Sequence, residues 1–327
     1  MSTSHSDFHW RSIQKDNFTS LAKLLDFLEF SEENRKRIHF YPHFVLNVPR
    51  RIAAKMEKND LADPIFLQFV PLLEETFLKD GFVPDALQEA AFREKSKLIH
   101  KYESRALLLA SGACAMHCRY CFRQHFPYET KIQGFEAELN YIASHSDLKE
   151  IILSGGDPLS LSNASLYDLL GSIGRIPHIR RIRFHTRFPI GIPERIDEPL
   201  LNMLAQIRQQ VFFVIHCNHP KELDADITCA LKKIAHLGIP LLNQSVLLKG
   251  VNDDETTFLE LLEALIDARV IPYYLHLLDP VQGTAHFDVL EKRGHELIQY
   301  AQKKLSGFGI PRLVREVPGC ASKTFLT

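Results

Sequence analysis

Three cysteines lie within eight residues, in the segment CAMHCRYC (residues 114–121), although the chain of 327 residues has only six. Three residues separate Cys114 from Cys118, and two separate Cys118 from Cys121. In a reducing compartment, clustered thiols more often bind a metal than form a structural disulfide. A structural zinc site normally has four protein ligands, and a second cysteine pair at the usual distance is missing here. Three thiolates suit a [4Fe–4S] cluster with one iron free to bind a small molecule.

Two histidines leave a zinc site open as an alternative. His117 lies inside the cysteine segment and His125 follows it closely, so both are near enough in sequence to complete a tetrahedral ligand set. The other cysteines, Cys217, Cys229 and Cys320, are distant in sequence. Cys229 falls near the apolar side of a helical pattern, which predicts a small buried hydrophobic residue there.

The cysteine segment follows the first of six short apolar runs that alternate with patterns typical of amphipathic helices. The runs cover residues 106–111, 150–154, 182–186, 211–216, 243–248 and 273–278. Strands buried on both faces and separated by helices form a parallel sheet with right-handed crossovers. The sequence therefore predicts an α/β fold, a partial (β/α)6 barrel of the TIM type, with its chemistry at the C-terminal ends of the strands.

The helices between these runs have recognisable ends. In DADITCALKKIAHLG, Asp224 is a candidate N-cap and Gly238 a candidate terminating residue, and Asp254 begins a second such pattern. Residues 1–97 contain short helical patterns broken by proline, without the alternation typical of strands. We therefore expect an N-terminal helical region over residues 1–97, followed by the barrel and a C-terminal segment over residues 98–327.

Composition excludes several classes of function. The net charge is −1, the pI is about 7.0, and 45% of residues are hydrophobic, so no basic field points to nucleic acid. The N-terminus lacks the apolar stretch of a signal peptide, and no run reaches 18 apolar residues. We expect a cytoplasmic protein that spans no membrane.

A glycine pair ends the second predicted strand, in the segment SGGDPL. Gly155 and Gly156 would let the backbone approach a ligand without a side chain in the way. The same segment is also typical of a simple turn in which Asp157 caps a helix. Its position at the end of a strand favours the ligand-binding interpretation.

Six segments together resemble the lysine 2,3-aminomutase family of radical S-adenosylmethionine enzymes. They are HKYESRALLLASGACAMHCRYCFRQHFPY, ILSGGDPL, HTRFPIGIPERI, HCNHPKEL, NQSVLLKGVND and YYLHLLDPVQGTAHF. The resemblance runs from about residue 98 to the end of the sequence. It implies three cofactors, a [4Fe–4S] cluster, S-adenosylmethionine and pyridoxal 5′-phosphate, and an isomerase that moves the amino group of L-lysine from C2 to C3 to give (R)-β-lysine.

The resemblance assigns one set of residues to the cluster and to S-adenosylmethionine. Cys114, Cys118 and Cys121 match the cluster ligands, and S-adenosylmethionine would occupy the fourth iron. The residues with an implied role in binding S-adenosylmethionine are Tyr120, Ser154, Gly155, Gly156, Asp157, His216 and Gln244. Asn243 is a further candidate for a hydrogen bond to either cofactor.

A second set of residues is implied for pyridoxal phosphate. This cofactor needs a lysine that becomes neutral, and Lys323 in VREVPGCASKTFL matches the family lysine that bonds it. The family segment is richer in glycine, and residues 320–322 replace part of it here. Arg187 is the candidate for the phosphate, Tyr102 for the pyridine ring and Lys101 for the anionic groups.

Three charged residues are implied for the substrate. Arg123 matches the arginine that holds the α-carboxylate, a contact that a guanidinium makes with two parallel hydrogen bonds. Asp279 matches one of two carboxylates that hold the ε-ammonium of lysine. The second is usually aspartate in the family and is Glu316 here. Two buried carboxylates would repel an acidic substrate, so we expect a cationic one.

The segment CRYCFRQHFPY and the short C-terminal ending resemble the subgroup often named EpmB or YjeK. That subgroup supplies (R)-β-lysine for the modification of elongation factor P. The implied partners are L-lysine, an external electron donor such as flavodoxin, and an elongation factor P–lysine ligase. A catabolic aminomutase is the alternative within the family. A non-catalytic iron–sulfur or zinc scaffold and a radical enzyme without pyridoxal phosphate, such as a methyltransferase or an activase, remain open outside it.

Overall fold

The computed structural model describes residues 5–128 and 134–326. Within these two ranges, ten strands form one sheet in which the spatial order follows the chain order. The strands are β1 Arg93–Lys95, β2 Leu98–Tyr102, β3 Arg105–Ser111, β4 Glu150–Gly155, β5 Arg181–Thr186, β6 Gln210–Ile215, β7 Leu241–Val246, β8 Ile271–His276, β9 Arg312–Arg315 and β10 Thr324–Phe325. Neighbours from β3 to β9 run parallel, whereas β1, β2 and β10 pair antiparallel at the two edges.

Helices fill the N-terminal region and the connections between the parallel strands. They are α1 His5–Lys15, α2 Leu21–Phe27, α3 Glu32–Arg35, α4 Arg50–Ala53, α5 Pro64–Phe69, α6 Glu136–Ser144, α7 Asn163–Gly174, α8 Phe188–Gly191, α9 Glu198–Ala205, α10 Ala225–His236, α11 Glu255–Asp267 and α12 Glu291–Gln302. The predicted cap Asp224 is confirmed, because it accepts from Ile227 N, and Asp254 at the start of α11 accepts from Thr257 N in the same way. Within residues 5–128 and 134–326, no helix has the length and hydropathy to cross a bilayer.

The predicted α/β fold is confirmed, and each of the six predicted strands is present. Four strands of the described chain, β1, β2, β9 and β10, were not predicted. β9 adds a seventh parallel strand, which four residues of sequence were too short to reveal. The expectation of no strand within residues 1–97 is wrong for β1, whose residues Arg-Glu-Lys lack the apolar alternation of a half-buried strand. Cys229 was expected to be buried but is exposed, because it lies away from the apolar face of α10.

The sequence suggested that the parallel strands are buried on both faces. In the structure, one face is buried under the helices and the other lines a cavity. In β5 the residues Ile182 and Phe184 are fully buried under the helices, whereas the alternate residues Arg181, Arg183 and His185 face the barrel interior. This interior is a cavity rather than a packed core, so it accepts polar side chains. The period of two in a strand therefore separates structural residues from candidate functional ones.

The N-terminal helical region packs against the outside of the barrel. Trp10 is fully buried and meets Phe188 edge-on, with 5.4 Å between the ring centroids. Leu24 and Phe66 belong to the same hydrophobic core as Ile182 of β5. Burial of this apolar surface stabilises both parts together.

The two edges of the sheet are joined by side chains. Lys101 and Tyr102 end β2, near one edge, and Glu316 follows β9, near the other. The Glu316 carboxylate accepts from Lys101 Nζ at 2.7 Å and from the Tyr102 hydroxyl. The barrel is therefore open in its backbone and bridged by an ion pair.

Candidate active site

A cavity of about 670 Å³ occupies the barrel interior and its C-terminal mouth. Of the residues to which the family resemblance gives a role, all but Asn243 line it. These residues are Lys101, Tyr102, Cys114, Cys118, Tyr120, Cys121, Arg123, Ser154, Gly155, Gly156, Asp157, Arg187, His216, Gln244, Asp279, Glu316 and Lys323. The fold thus brings residues from across the chain into one chamber.

The N-terminal region holds the cysteine loop in place. The amide of His117 donates to Asn47 O at 2.9 Å, and the amide of Arg119 donates to Gln68 O at 2.8 Å. The buried Arg119 guanidinium forms an ion pair with Glu75. Residues before the barrel therefore fix the backbone that presents the thiols.

Both histidines proposed as zinc ligands bond elsewhere. His117 Nδ1 lies 2.8 Å from Val45 O, and His125 Nε2 lies 3.1 Å from Gln282 O. The contacts therefore do not favour a tetrahedral site completed by these rings. Neither His117 nor His125 lines the cavity that the three thiols face.

The thiols suit an iron–sulfur cluster in their chemistry. Burial, together with the neighbouring Cys118, raises the pKa of Cys121 to about 12. Burial likewise raises the pKa of Cys114 well above its usual range. Such thiols resist ionisation alone but ionise when they coordinate a metal. The three residues would hold the cluster, and they fit it.

The glycine pair at the end of β4 packs against the cysteine loop. A Cβ on Gly155, where φ is +114°, would lie 2.4 Å from Ser111 O. A Cβ on Gly156 would lie 2.5 Å from Ala113 O. The amides of Gly156 and Asp157 donate to these two oxygens, at 2.7 and 2.8 Å. The glycines are thus required by the approach of two backbone segments, a constraint that the sequence interpretation assigned to a ligand alone.

Gly156→Ala is expected to displace the cysteine loop, because its methyl group would collide with backbone atoms that cannot rotate away. We expect the variant to lose most of the bound iron. Its melting temperature should fall by several degrees, because overpacking costs about 1–3 kcal/mol of stability. Iron analysis after reconstitution and thermal denaturation measure both effects. Gly307→Ala is the control, since a Cβ there meets nothing within 4 Å. Equal iron content in the two variants would contradict the packing role.

Asp157 forms hydrogen bonds that stabilise the end of β5 and the start of the connection that follows it. Its carboxylate accepts from Thr186 Oγ1 at 2.8 Å, from the amide of Arg187 at 2.7 Å and from the amide of Leu159 at 3.0 Å. Burial raises its pKa to about 6 against these hydrogen bonds. The helix-capping alternative thus describes its contacts, and its oxygens are already used by the protein.

Arg187 lies at the cysteine end of the cavity. Its NH1 donates to Cys118 Sγ at 2.7 Å and to the Tyr120 hydroxyl, and its NH2 donates to Gln68 at 2.8 Å and Glu222 at 2.7 Å. Both terminal nitrogens are therefore occupied. These contacts do not support the prediction that Arg187 binds the phosphate of pyridoxal phosphate, because Gln68 and Glu222 draw its guanidinium toward the thiols.

Tyr120 and His216 share the wall beside this arginine. Asn218 Nδ2 donates to the Tyr120 hydroxyl at 2.7 Å, and His216 Nε2 lies 3.4 Å from the same oxygen. Burial, with the charge of Arg187, lowers the pKa of His216 to about 3, so its ring is neutral. Two uncharged polar groups thus stand next to the thiols.

Strand β7 contributes one of its two candidate residues to the cavity. Gln244 faces the interior, whereas Asn243 points the other way and accepts from Cys217 N at 2.9 Å. The prediction that Asn243 bonds a cofactor is therefore wrong. It ties β7 to the end of β6.

Lys323 lines the cavity from a hairpin formed by β9 and β10. Thr324 pairs with Arg315, which places Lys323 opposite Glu316. Lys323 Nζ donates to Glu316 Oε2 at 2.6 Å. Burial raises the pKa of Glu316, but Lys323, Lys101 and Tyr102 outweigh this and lower it to about 2. The carboxylate is ionised and holds two amines.

Asp279 lines the cavity without an ionic partner. It forms no ion pair or side-chain hydrogen bond within the described ranges, 5–128 and 134–326. Burial raises its pKa to about 7, and Lys323 opposes this while Glu316 and Glu89 add to it. A cationic ligand would stabilise the ionised form of this half-buried carboxylate.

Arg123 already holds a carboxylate in this structure. Its Nε and NH2 donate to the two oxygens of Glu89, at 2.8 and 2.6 Å. Its NH1 donates to Ser154 Oγ at 3.2 Å. The geometry is the paired one that the sequence predicts for a substrate carboxylate, with an N-terminal glutamate in that place.

Three residues that sequence interpretation missed also line the cavity with Lys323. Arg105 lines the cavity with its guanidinium 4.2 Å from the centroid of the Tyr102 ring, and it has no acidic partner within the described part of the chain. His185 and His276 each have a buried Nε2 without a hydrogen-bond partner. Alternation along β5 and β8 was the available signal. A free guanidinium, an aromatic ring, polar rings and a lysine fit pyridoxal phosphate.

One family of known proteins matches the part of the chain that carries the cysteine loop. The family described as "4Fe-4S single cluster domain" matches residues 104–184, which include the cysteine loop and the glycine pair. The chain resembles in fold the solved structure of Streptococcus suis SuiB bound to S-adenosylmethionine, with a TM-score of 0.50 and 13% identity. That match covers 70% of this chain and 54% of the other.

Two relatives match over most of the sequence. L-lysine 2,3-aminomutase of Haemophilus influenzae is 39% identical over 320 residues, covering 97% of this chain and 95% of that protein. L-lysine 2,3-aminomutase of Escherichia coli is 44% identical over 284 residues, covering 86% and 83%. The family resemblance seen in the motifs is confirmed. The chain belongs to the lysine 2,3-aminomutase family of radical S-adenosylmethionine enzymes.

Proposed function

We propose that this protein is an L-lysine 2,3-aminomutase that uses a [4Fe–4S] cluster, S-adenosylmethionine and pyridoxal phosphate to form (R)-β-lysine. The observation that carries the proposal is a single cavity lined both by the three thiols and by Lys323. Together the cofactors supply a radical that removes a hydrogen from C3 and a ring system that stabilises the migrating amino group. The protein orients them and excludes water.

Charge in the cavity favours a cationic substrate. Asp279 has no ionic partner in the described chain, and the ionised Glu316 lies near it. An ε-ammonium would satisfy Asp279, whereas the side chain of glutamate would add a third carboxylate. L-lysine is therefore the substrate that this electrostatic arrangement supports best.

We assign the remaining residues by their contacts. Lys323 would bond pyridoxal phosphate, with Lys101 and Arg105 holding its phosphate and Tyr102 lying against its ring. Arg123 would hold the α-carboxylate of the substrate, exchanging its contact with Glu89. The glycine pair, Tyr120, His216 and Gln244 line the space beside the thiols where S-adenosylmethionine would bind.

The biological setting that we propose is the modification of elongation factor P. The support is the segment CRYCFRQHFPY and the 44% identity to the Escherichia coli aminomutase. An external donor such as flavodoxin would supply the electron, and a ligase would attach the product to the factor. Cluster thiols also suit a reducing cytoplasm.

The test is an anaerobic assay of reconstituted protein with L-lysine, S-adenosylmethionine and dithionite. We expect β-lysine, resolved by chiral chromatography as the R enantiomer, and at least about 100-fold less conversion of L-glutamate. Formation of another β-amino acid in preference would reject the substrate. Iron and sulfide without any turnover would favour the scaffold alternative. A mass shift of elongation factor P with its purified ligase, dependent on this enzyme, tests the setting.

A further inference from the structure

The sulfur of Cys118 contacts the guanidinium of Arg187, whose NH1 lies 2.7 Å from Sγ. The sulfur of Cys121 accepts instead from the backbone amide of Arg123. The cluster ligands are therefore treated unequally, since Cys118 is the thiol within hydrogen-bond distance of a cationic side chain. A charged donor aimed at one sulfur distinguishes Cys118.

Arg187 is held rigidly in this position. The side chain is 8% exposed, and its ion pair with Glu222 has 2.7 Å between NH2 and Oε2, where Glu222 is fully buried. Gln68 Oε1 accepts from the same nitrogen at 2.8 Å. Glu222 is itself anchored by the amides of Asn218 and His219, at 2.9 and 3.0 Å. The guanidinium therefore cannot turn away without leaving a buried carboxylate unpaired.

Hydrogen bonds and positive charge near cluster sulfurs favour the reduced, more negative state of a cluster. We propose that Arg187 is a positioning residue that raises the reduction potential of the cluster through Cys118. This inference rests on the proposed function, since it requires a cluster on the three thiols. In the step concerned, an external low-potential donor gives up one electron to the cluster, and no bond of the protein forms or breaks.

The experiment measures the midpoint potential of the reconstituted full-length protein by electron paramagnetic resonance, without S-adenosylmethionine or substrate. We expect Arg187→Met to lower the potential relative to the wild type. Arg187→Lys, which keeps the charge but cannot contact both Cys118 and Glu222, should lie between them. Arg183→Met is the matched control, because Arg183 lines the cavity but pairs with Glu150.

Potentials of both Arg187 variants equal to that of the wild type would overturn the inference. A lower affinity of Arg187→Met for pyridoxal phosphate at an unchanged potential would overturn it too and support the phosphate role. Should Arg187→Met bind too little iron, the decision passes to Arg187→Lys, measured per cluster. A wild type without iron and sulfide would instead refute the proposed function.

Discussion

The Lys323→Ala variant is expected to keep its cluster but to lose covalently bound pyridoxal phosphate and all detectable formation of β-lysine. Among the described residues, the lysines that line the cavity are Lys101 and Lys323, and Lys323 is the one that directly precedes β10. Lys101 also lines the cavity, but it ends a strand at the other edge of the sheet and bonds Glu316 at 2.7 Å. Removal of the Lys323 amine therefore removes the attachment point itself, a loss of more than about 10³-fold in rate.

Borohydride reduction of the loaded protein, followed by peptide mass spectrometry, measures this directly. The wild type should carry the added mass on the peptide that contains Lys323, and the variant should show neither that mass nor the associated absorbance. Lys249→Ala is the control, since it removes an exposed lysine by the same change. A modified peptide elsewhere in the variant would place the cofactor on another residue.

Asp279→Asn is expected to lower kcat/KM for L-lysine by at least about 30-fold per bound cluster. Loss of one partner of a buried charge pair costs about 2–5 kcal/mol, and the substrate ammonium would be that partner. Activity per mole of iron, measured with L-lysine over a range of concentrations, tests the role. A change below about threefold would show that the ammonium binds elsewhere.

Asp279→Asn should be more stable than the wild type at a pH where ionised Asp279 destabilises the folded protein. The folded pKa of Asp279 is raised to about 7 from an ordinary 3.8, so the folded protein binds more protons than the unfolded chain between these values. Stability from this group therefore falls as pH rises through that window. Thermal melts of the cofactor-free proteins should show Asp279→Asn above the wild type at pH 8, with the difference shrinking toward pH 4.5. A difference independent of pH would mean that Asp279 does not titrate in this way.

Local motifs predicted which residues enter the cavity better than they predicted what those residues contact. The cysteine segment and the glycine pair each follow a strand, so the barrel topology alone brings them to one end. Arg187 also follows a strand, but its partners Gln68 and Glu222 lie 119 and 35 positions away in sequence. Spacing carries no information about such partners, and the direction of the guanidinium depended on them.

The side of a strand on which a residue lies was also hard to predict from local sequence. Asn243 and Gln244 are equally polar in sequence, yet only one of two neighbours in a strand faces the interior. Arg105 and His185 were missed for the complementary reason, because arginine and histidine inside a barrel contradict the rule that interior positions are apolar. That rule fails where the interior is a binding cavity, and the strand period then identifies the residues.

An open sheet leaves unpaired amides and carbonyls on its first and last strands, where another chain can add and begin to aggregate. Here β1 has three residues, all charged, and β10 has two. Edge strands this short, and fully charged in the case of β1, offer few backbone groups with which another chain could pair. The protein therefore keeps a barrel wide enough for bulky ligands while its exposed borders discourage unwanted self-association.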